Sequence, residues 1–328
     1  VSPCPKVELH LHLEGAAPPT FIRDLAKKKS VNLTGVFDRD GGYAFRDFGH
    51  FLTVYDAACS VLKTPEDYHR LTLAVLEEQA QQGVIYTEAF LSPEFCGGGD
   101  LGAWREYVAA IREAAELAFA RDGTRLRGIV TAIRHLGPDA ARITARCAAE
   151  TAGDWVVGFG LAGDERKGRP RDYVWSFDMV REAGLSLTAH AGEWGGAASV
   201  RDALDDLGVS RIGHGVRAIE DPALVERLVR EGVVLEVCPG SNIALGVYPR
   251  WKDHPIERLR AAGVPVTVST DDPPFFKTTL TAEYAHLAET FGWEDETVRA
   301  VNQTAARAAF CDDATKTTLL SLLEPQDD

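Results

Sequence analysis

Two hydrophobic rhythms alternate along the chain. Eight short runs rich in β-branched and aliphatic residues, at 6–13, 84–91, 125–133, 156–163, 185–192, 210–215, 233–242 and 264–272, carry the spacing of strands. Between them lie stretches such as LGAWREYVAAIREAAELAFARDG and DPALVERLVREGV, whose apolar residues recur at i, i+3 and i+4 and which end near Gly. Strands alternating with helices predict βαβ units and a parallel sheet. Eight of them favour an α/β fold closed as a (β/α)8 TIM barrel over an open doubly wound sheet. The spacing predicts one domain over 1–328.

The connections are uneven. The first crossover, Glu14 to Gly83, runs about 70 residues, far beyond the dozen or so that a βαβ crossover needs. It predicts a helical insertion over about 15–83. FGHFLTVYDAACSVL and PEDYHRLTLAVLEEQAQQG read as two of its helices, and Phe45, Phe48, Phe51 and Tyr55 recur there at three- or four-residue spacing. Such a stripe is either an internal core or an apolar lid over a site at the barrel mouth, where functional loops of this fold gather.

In VELHLHLEG (7–15), period-two alternation sends His10 and His12 to one face and Leu9, Leu11 and Leu13 to the other. Other strand-like runs also end in polar residues. The fifth closes in TAHAGE with His190 and Glu193, the sixth in IGHG with His214, and the eighth in STDD with Asp271 and Asp272. A closed barrel would bring these ends to one rim. His10, His12, His190 and Asp271 form a ligand set suited to Zn2+, with a position left for water. Such an ion makes water a nucleophile at neutral pH. No GxSxG elbow appears and no Cys stands beside a His, so water is the expected nucleophile. Glu193 can face the pocket without binding the ion, and His214 and Asp272 are candidates to hold and deprotonate the water. Adjacent strand carboxylates point apart unless the strand is ending, so Asp271 and Asp272 divide between metal and substrate. In LAGDE (161–165) a Gly permits close approach of a ligand to the backbone. GGG at 97–99 lacks the GxxxxGK[ST] pattern and reads as a loop.

Composition narrows the partners. A formal charge of −14, with KKK at 27–29 the longest basic cluster, argues against nucleic acid. KKK reads as a solvated helix end. Six scattered cysteines without CxxC spacing predict reduced, mostly buried thiols. No signal-peptide pattern and no membrane-length apolar run is evident, so the expectation is a soluble cytoplasmic protein acting on a small molecule. The closing EPQDD reads as a frayed end.

Taken in order, KVELHLHLEG, LAGDE, HAGE, RIGHG and STDDPPFFKTTL with its trailing EY resemble the adenosine deaminase family over nearly the whole chain. That resemblance implies a one-zinc hydrolase on a (β/α)8 barrel that removes the 6-amino group of purines. It implies His10, His12, His190 and Asp271 as zinc ligands and Glu193 as the group that protonates purine N1 while zinc-activated water attacks C6. It further implies that His214 orients that water. Asp272 would help hold it and accept from the purine edge at N7, and the Gly163 N–H would meet N3. The cytidine-deaminase pattern, HxE followed by PCxxC, is absent. A two-metal amidohydrolase would bridge its ions with a Lys on the fourth strand, and VVGFGLAG has none. A binding relative without turnover should lack a ligand or Glu193, and none is missing.

Two features point to different substrates. Glu14 stands where typical adenosine deaminases carry an Asp that bonds the ribose 5′-hydroxyl, and HLHLEG is common among adenine deaminases of the family. TEAFLSP also lacks an Arg frequent in adenosine deaminases, whereas DDPPFFKTTL is closer to the adenosine branch. The expected reaction is adenosine or deoxyadenosine to inosine or deoxyinosine plus ammonia. The alternative is adenine to hypoxanthine, or deamination of a modified adenosine.

Overall fold

A computed structural model describes residues 4–325 of the chain. Eight strands form in the predicted places: β1 (Lys6–His12), β2 (Val84–Leu91), β3 (Arg125–Ile133), β4 (Val156–Ala162), β5 (Ser186–Ala191), β6 (Arg211–His214), β7 (Val234–Val237) and β8 (Val266–Val268). Each pairs in parallel with the next, from β1 to β8 in order. The ring is joined beyond the end of β8, where His12 N–H donates to Asp271 O at 3.0 Å and Asp271 N–H to His10 O at 3.1 Å. This is a (β/α)8 barrel. Helices cover the outer face, so strands such as VVGFGLA are buried along their whole length, as parallel strands enclosed on both sides must be.

The last two strand-like runs are shorter than their sequence pattern. After β7, Pro239 cannot extend a ladder and instead opens the helix Pro239–Ala244. After β8 the chain leaves the sheet, and Asp271 takes a left-handed conformation with φ 66°. The turn leaves both carboxylates of STDD beside His12, with ligand-capable atoms of the three residues within 4.8 Å of one another.

β1 departs from strict alternation. Its pairing with β2 shifts register between Glu8 and Leu11, so one extra residue is accommodated there. His10 and His12 both face Phe90, with ring centroids at 4.7 and 4.8 Å. Leu9 does not join Leu11 and Leu13 in the main core. It packs in a smaller cluster with Val7, Tyr86, Ala305 and Ala309. The irregularity breaks the simple two-face expectation for the three leucines while leaving the two imidazoles together.

Between β1 and β2 lie α1 (Pro19–Lys29), α2 (Phe48–Cys59) and α3 (Pro65–Gln81). Asp47 caps α2 by accepting from His50 N–H, and Thr64 and Asp67 form a reciprocal capping box on α3. The basic run does close a helix, α1, and Lys27 and Lys28 are exposed. Lys29 is not merely solvated: its ammonium donates to Val61 O at 2.9 Å and pairs with Asp67, tying α1 to the start of α3. GGG occupies a turn with positive φ at all three residues, followed by α4 (Leu101–Asp122), which Asp100 caps. Of EPQDD, residues 326–328 lie outside the described residues. Among the described residues no helix is long and apolar enough to cross a membrane.

Candidate active site

The C-terminal ends of the strands open into a cavity lined by His12, Glu14, Gly163, His190, Glu193, His214, Asp271 and Asp272. His10 lies beneath it, fully buried. All the residues singled out in the sequence therefore meet at one place. Two glycines make the convergence sterically possible. A Cβ on Gly15 would overlap the Asp272 carboxylate, and one on Gly213 would sit 2.8 Å from His10 Cε1. His214, like Asp271, has positive φ (63°), which is uncommon for a side chain without local reason.

The inward atoms crowd around one point. Asp271 Oδ1 lies 3.4 Å from His10 Nε2 and 3.3 Å from His12 Nε2, and His12 Nε2 lies 3.2 Å from His190 Nε2. Ligands 2.0–2.1 Å from a tetrahedral ion stand about 3.3 Å from each other. The partners behind the rings also fit a cation. His10 Nδ1–H donates to Glu236 Oε2 at 2.8 Å and His190 Nδ1–H to Leu161 O at 3.0 Å, so each presents an Nε2 lone pair to the centre. His10 Nε2 is buried with no hydrogen-bond partner. Ser241 Oγ–H donates to Asp271 Oδ2 at 2.8 Å and leaves Oδ1 to the imidazoles. The donor set, its spacing and its outer partners fit a divalent ion of the zinc type.

Electrostatics separate the carboxyl groups. Burial opposes the Asp271 anion, but the facing His10 and His12 rings outweigh it and hold its pKa well below the ordinary range. Burial and the neighbouring Asp271 charge push Asp272 well above it. Glu193 is likewise raised, by burial and then by Asp271 and Glu165. The two neighbouring aspartates are thus driven in opposite directions. Glu193 Oε1 and Asp272 Oδ1 are buried without partners. Burial would lower the pKa of His10, yet the facing carboxylates of Asp271 and Glu236 raise it to about 9. The negative charge that draws a proton there is the charge that a cation would answer. His190 is driven well below its ordinary value, by burial and by the His10 and His12 charges.

An aromatic wall stands over this floor. Phe48, Phe51, Leu52 and Tyr55 of α2 line the cavity with Phe90 and Phe95. Phe48 packs on Trp194 at 5.1 Å, and Tyr55 and Phe51 pack on Phe275. Glu14 accepts from Tyr68 Oη–H at 2.9 Å and is buried.

Several supporting residues had not been singled out. Glu165 of LAGDE accepts from the N–H groups of Gly192, Glu193 and Trp194 at 2.6, 3.0 and 2.6 Å and from Ser199, fixing the loop that carries Glu193. Burial opposes its ionisation, and these bonds outweigh that penalty. Glu236 was signalled only by being a lone carboxylate in the apolar run VVLEVC. Arg134 donates to His190 O at 2.8 Å. Asn242 reaches His214 Nδ1 at 3.3 Å.

A family model described as Adenosine deaminase matches residues 5–326. The chain belongs to the adenosine deaminase family. Among its relatives, the adenine deaminase of Rhizobium leguminosarum bv. trifolii is 50% identical over 318 residues, covering 97% of this chain and 98% of that protein. The crystal structure of adenine deaminase from Arthrobacter aurescens superposes with a TM-score of 0.88 at 31% identity, covering 98% of both chains. An amidohydrolase from Burkholderia ambifaria, solved with bound Zn, gives 0.87 at 26% identity, covering 98% of this chain and 89% of that one. This member of the adenosine deaminase family is a hydrolase of the deaminase type, acting on purine C–N bonds.

Proposed function

We propose that the protein is an adenine deaminase, converting adenine and water to hypoxanthine and ammonia. The observation that carries this reading is identity of about half the residues, over nearly the whole length, with relatives named adenine deaminase. It favours the free base over adenosine and deoxyadenosine, and gives Glu14 more weight than the adenosine-like DDPPFFKTTL. Glu14, held by Tyr68 at the aromatic wall, is the group best placed to limit the space beyond the base.

His10, His12, His190 and Asp271 would hold one Zn2+ per chain. When bound, the ion supplies Lewis acidity that makes water nucleophilic at neutral pH. The remaining residues handle protons and position. Glu193, its pKa pushed up by burial, has an unpartnered oxygen from which a proton can pass to purine N1. His214 faces the oxygen added at C6, its Nε2 3.7 Å from Glu193 Oε2 and 3.8 Å from Asp271 Oδ2. Asp272, its pKa pushed up by burial and by the Asp271 charge, holds the water, takes the proton that it gives up on attack, and lies at the N7 edge of the purine. Gly163 N–H meets N3. The single domain carries residues about 15–83 as a cover whose α2 face excludes water from the base. Six free cysteines, five of them buried, suit a cytoplasmic setting.

The deciding measurement is kcat/KM for adenine, adenosine, deoxyadenosine, 5′-modified adenosines and AMP on the metal-loaded protein. A ratio of adenine to adenosine well above one is expected. A ratio below one would replace the base by the nucleoside, and no turnover of any 6-aminopurine would remove the reading altogether.

A further inference from the structure

Proximity alone does not fix what His214 does. Ligand-capable atoms of His10, His190, His214 and Asp271 all lie within 4.8 Å of one another, so His214 could bind a cation or donate a hydrogen bond. Which of these it does depends on which ring nitrogen carries the proton.

The answer is written in a chain of hydrogen bonds with one possible direction. It begins at Ile256 N–H, at the first turn of the helix Ile256–Ala261, which donates to His254 Nδ1 at 3.2 Å. A backbone N–H can only donate, so Nδ1 carries a lone pair and the ring proton is on Nε2. His254 Nε2–H then donates to Asn242 Oδ1 at 3.0 Å. That fixes the orientation of the Asn242 amide and turns its NH2 towards His214 Nδ1, 3.3 Å away. An amide nitrogen accepts nothing, so His214 Nδ1 must accept, and its proton lies on Nε2, pointing into the cavity. His10 and His190 are held in the opposite sense, since their Nδ1–H groups donate to a carboxylate and a carbonyl. His214, Asn242 and His254 are all buried, so water does not compete for these bonds.

We propose that Asn242 and His254 are positioning residues that carry the polarity of the Ile256 N–H to His214, locking it as a donor to the reacting oxygen rather than a metal ligand. The donor role at C6 rests on the deaminase reading above; the tautomer does not. Burial pushes the pKa of His254 down to about 3, in keeping with the neutral ring that the chain requires.

The test is the 15N spectrum of histidine-labelled, metal-free protein, with His214 assigned by its loss in His214→Gln. Unprotonated Nδ1 and protonated Nε2 are expected. Asn242→Asp keeps the shape and replaces the donor by an acceptor. It should move the proton to Nδ1 and lower kcat for adenine by about 10²–10⁴-fold with KM little changed, the range spanned by proton-transfer and wrong-tautomer defects. His254→Leu frees the amide to turn and should give mixed tautomers, and His254→Gln, which restores an N–H to Asn242 Oδ1, should recover the single form. A protonated Nδ1 in the unaltered protein, or an unmoved proton in Asn242→Asp, overturns the proposal. If Asn242→Asp does not fold, the unaltered spectrum and the two His254 variants decide. Absence of turnover with adenine would strike the substrate reading and leave these spectra as they are.

Discussion

The barrel interior holds two clusters of charge, and they are built on opposite plans. In the deeper one Arg211 pairs with Glu88 at 2.7 Å and with Glu236 at 2.6 Å, donates to Ala308 O, and lies 3.6 Å above the Phe310 ring. Thr188 Oγ1–H donates to Glu236, while Tyr86 Oη–H and Phe310 N–H donate to Glu88. Arg211 Nη2 and Glu88 Oε2 make no aligned hydrogen bond but face each other as an ion pair, so charge is answered by charge within the protein. At the rim, His10 Nε2, Glu193 Oε1 and Asp272 Oδ1 are just as buried and have no hydrogen-bond partner. Buried polar groups without partners are costly, so a protein keeps them where something else supplies the partner. The closed cluster holds shape and the open one awaits ligands. Glu236 belongs to both, for its second oxygen fixes the His10 ring.

The sharpest way to break this contrast is at the rim. His10→Ala should leave no bound metal by elemental analysis and reduce turnover to background, since the proposed ligand set would lose its innermost member. A variant that kept one equivalent of metal would show the cation to be held elsewhere. Glu193→Gln should keep the metal and lose about 10²–10⁴-fold in kcat, the share that proton transfer supplies. Loss of metal there would make Glu193 a ligand. In the closed cluster Arg211→Met should cost about 3–5 kcal/mol in urea unfolding, because two buried carboxylates lose their counter-charge. Unchanged stability would mean that the pair is not a structural clamp. At the junction, Glu236→Gln should weaken metal affinity by about 10–100-fold while leaving an active enzyme at saturating metal. The smallest effect thus tests whether the closed cluster tunes the open one.

Much of this was legible in the order of residues. Hydrophobic period alone located eight strands, since a parallel barrel strand buried on both faces is mostly apolar, and buried exceptions such as Glu88 and Glu236 are paired. The site was legible for the same reason, because HLH, HAGE, GHG and TDD interrupt that apolar pattern at strand ends. Departures arose where local geometry overrode period: the register shift in β1 moved Leu9 away from Leu11, and Pro239 turned CPGSN from strand into helix.

The sequence by itself determined the parallel barrel, the identity of the polar residues at its rim and the acidic charge of the chain. These follow from side-chain period and composition, which are local properties. Only the tertiary structure decided which nitrogen of each imidazole faces inward, in which direction each of two neighbouring aspartates is pushed, and that Glu236 and Asn242 stand behind the site. His10 and Glu236 are 226 positions apart, and no local pattern encodes their meeting. Proton positions and pKa values depend on what packs against a group, and packing exists only once the barrel has closed.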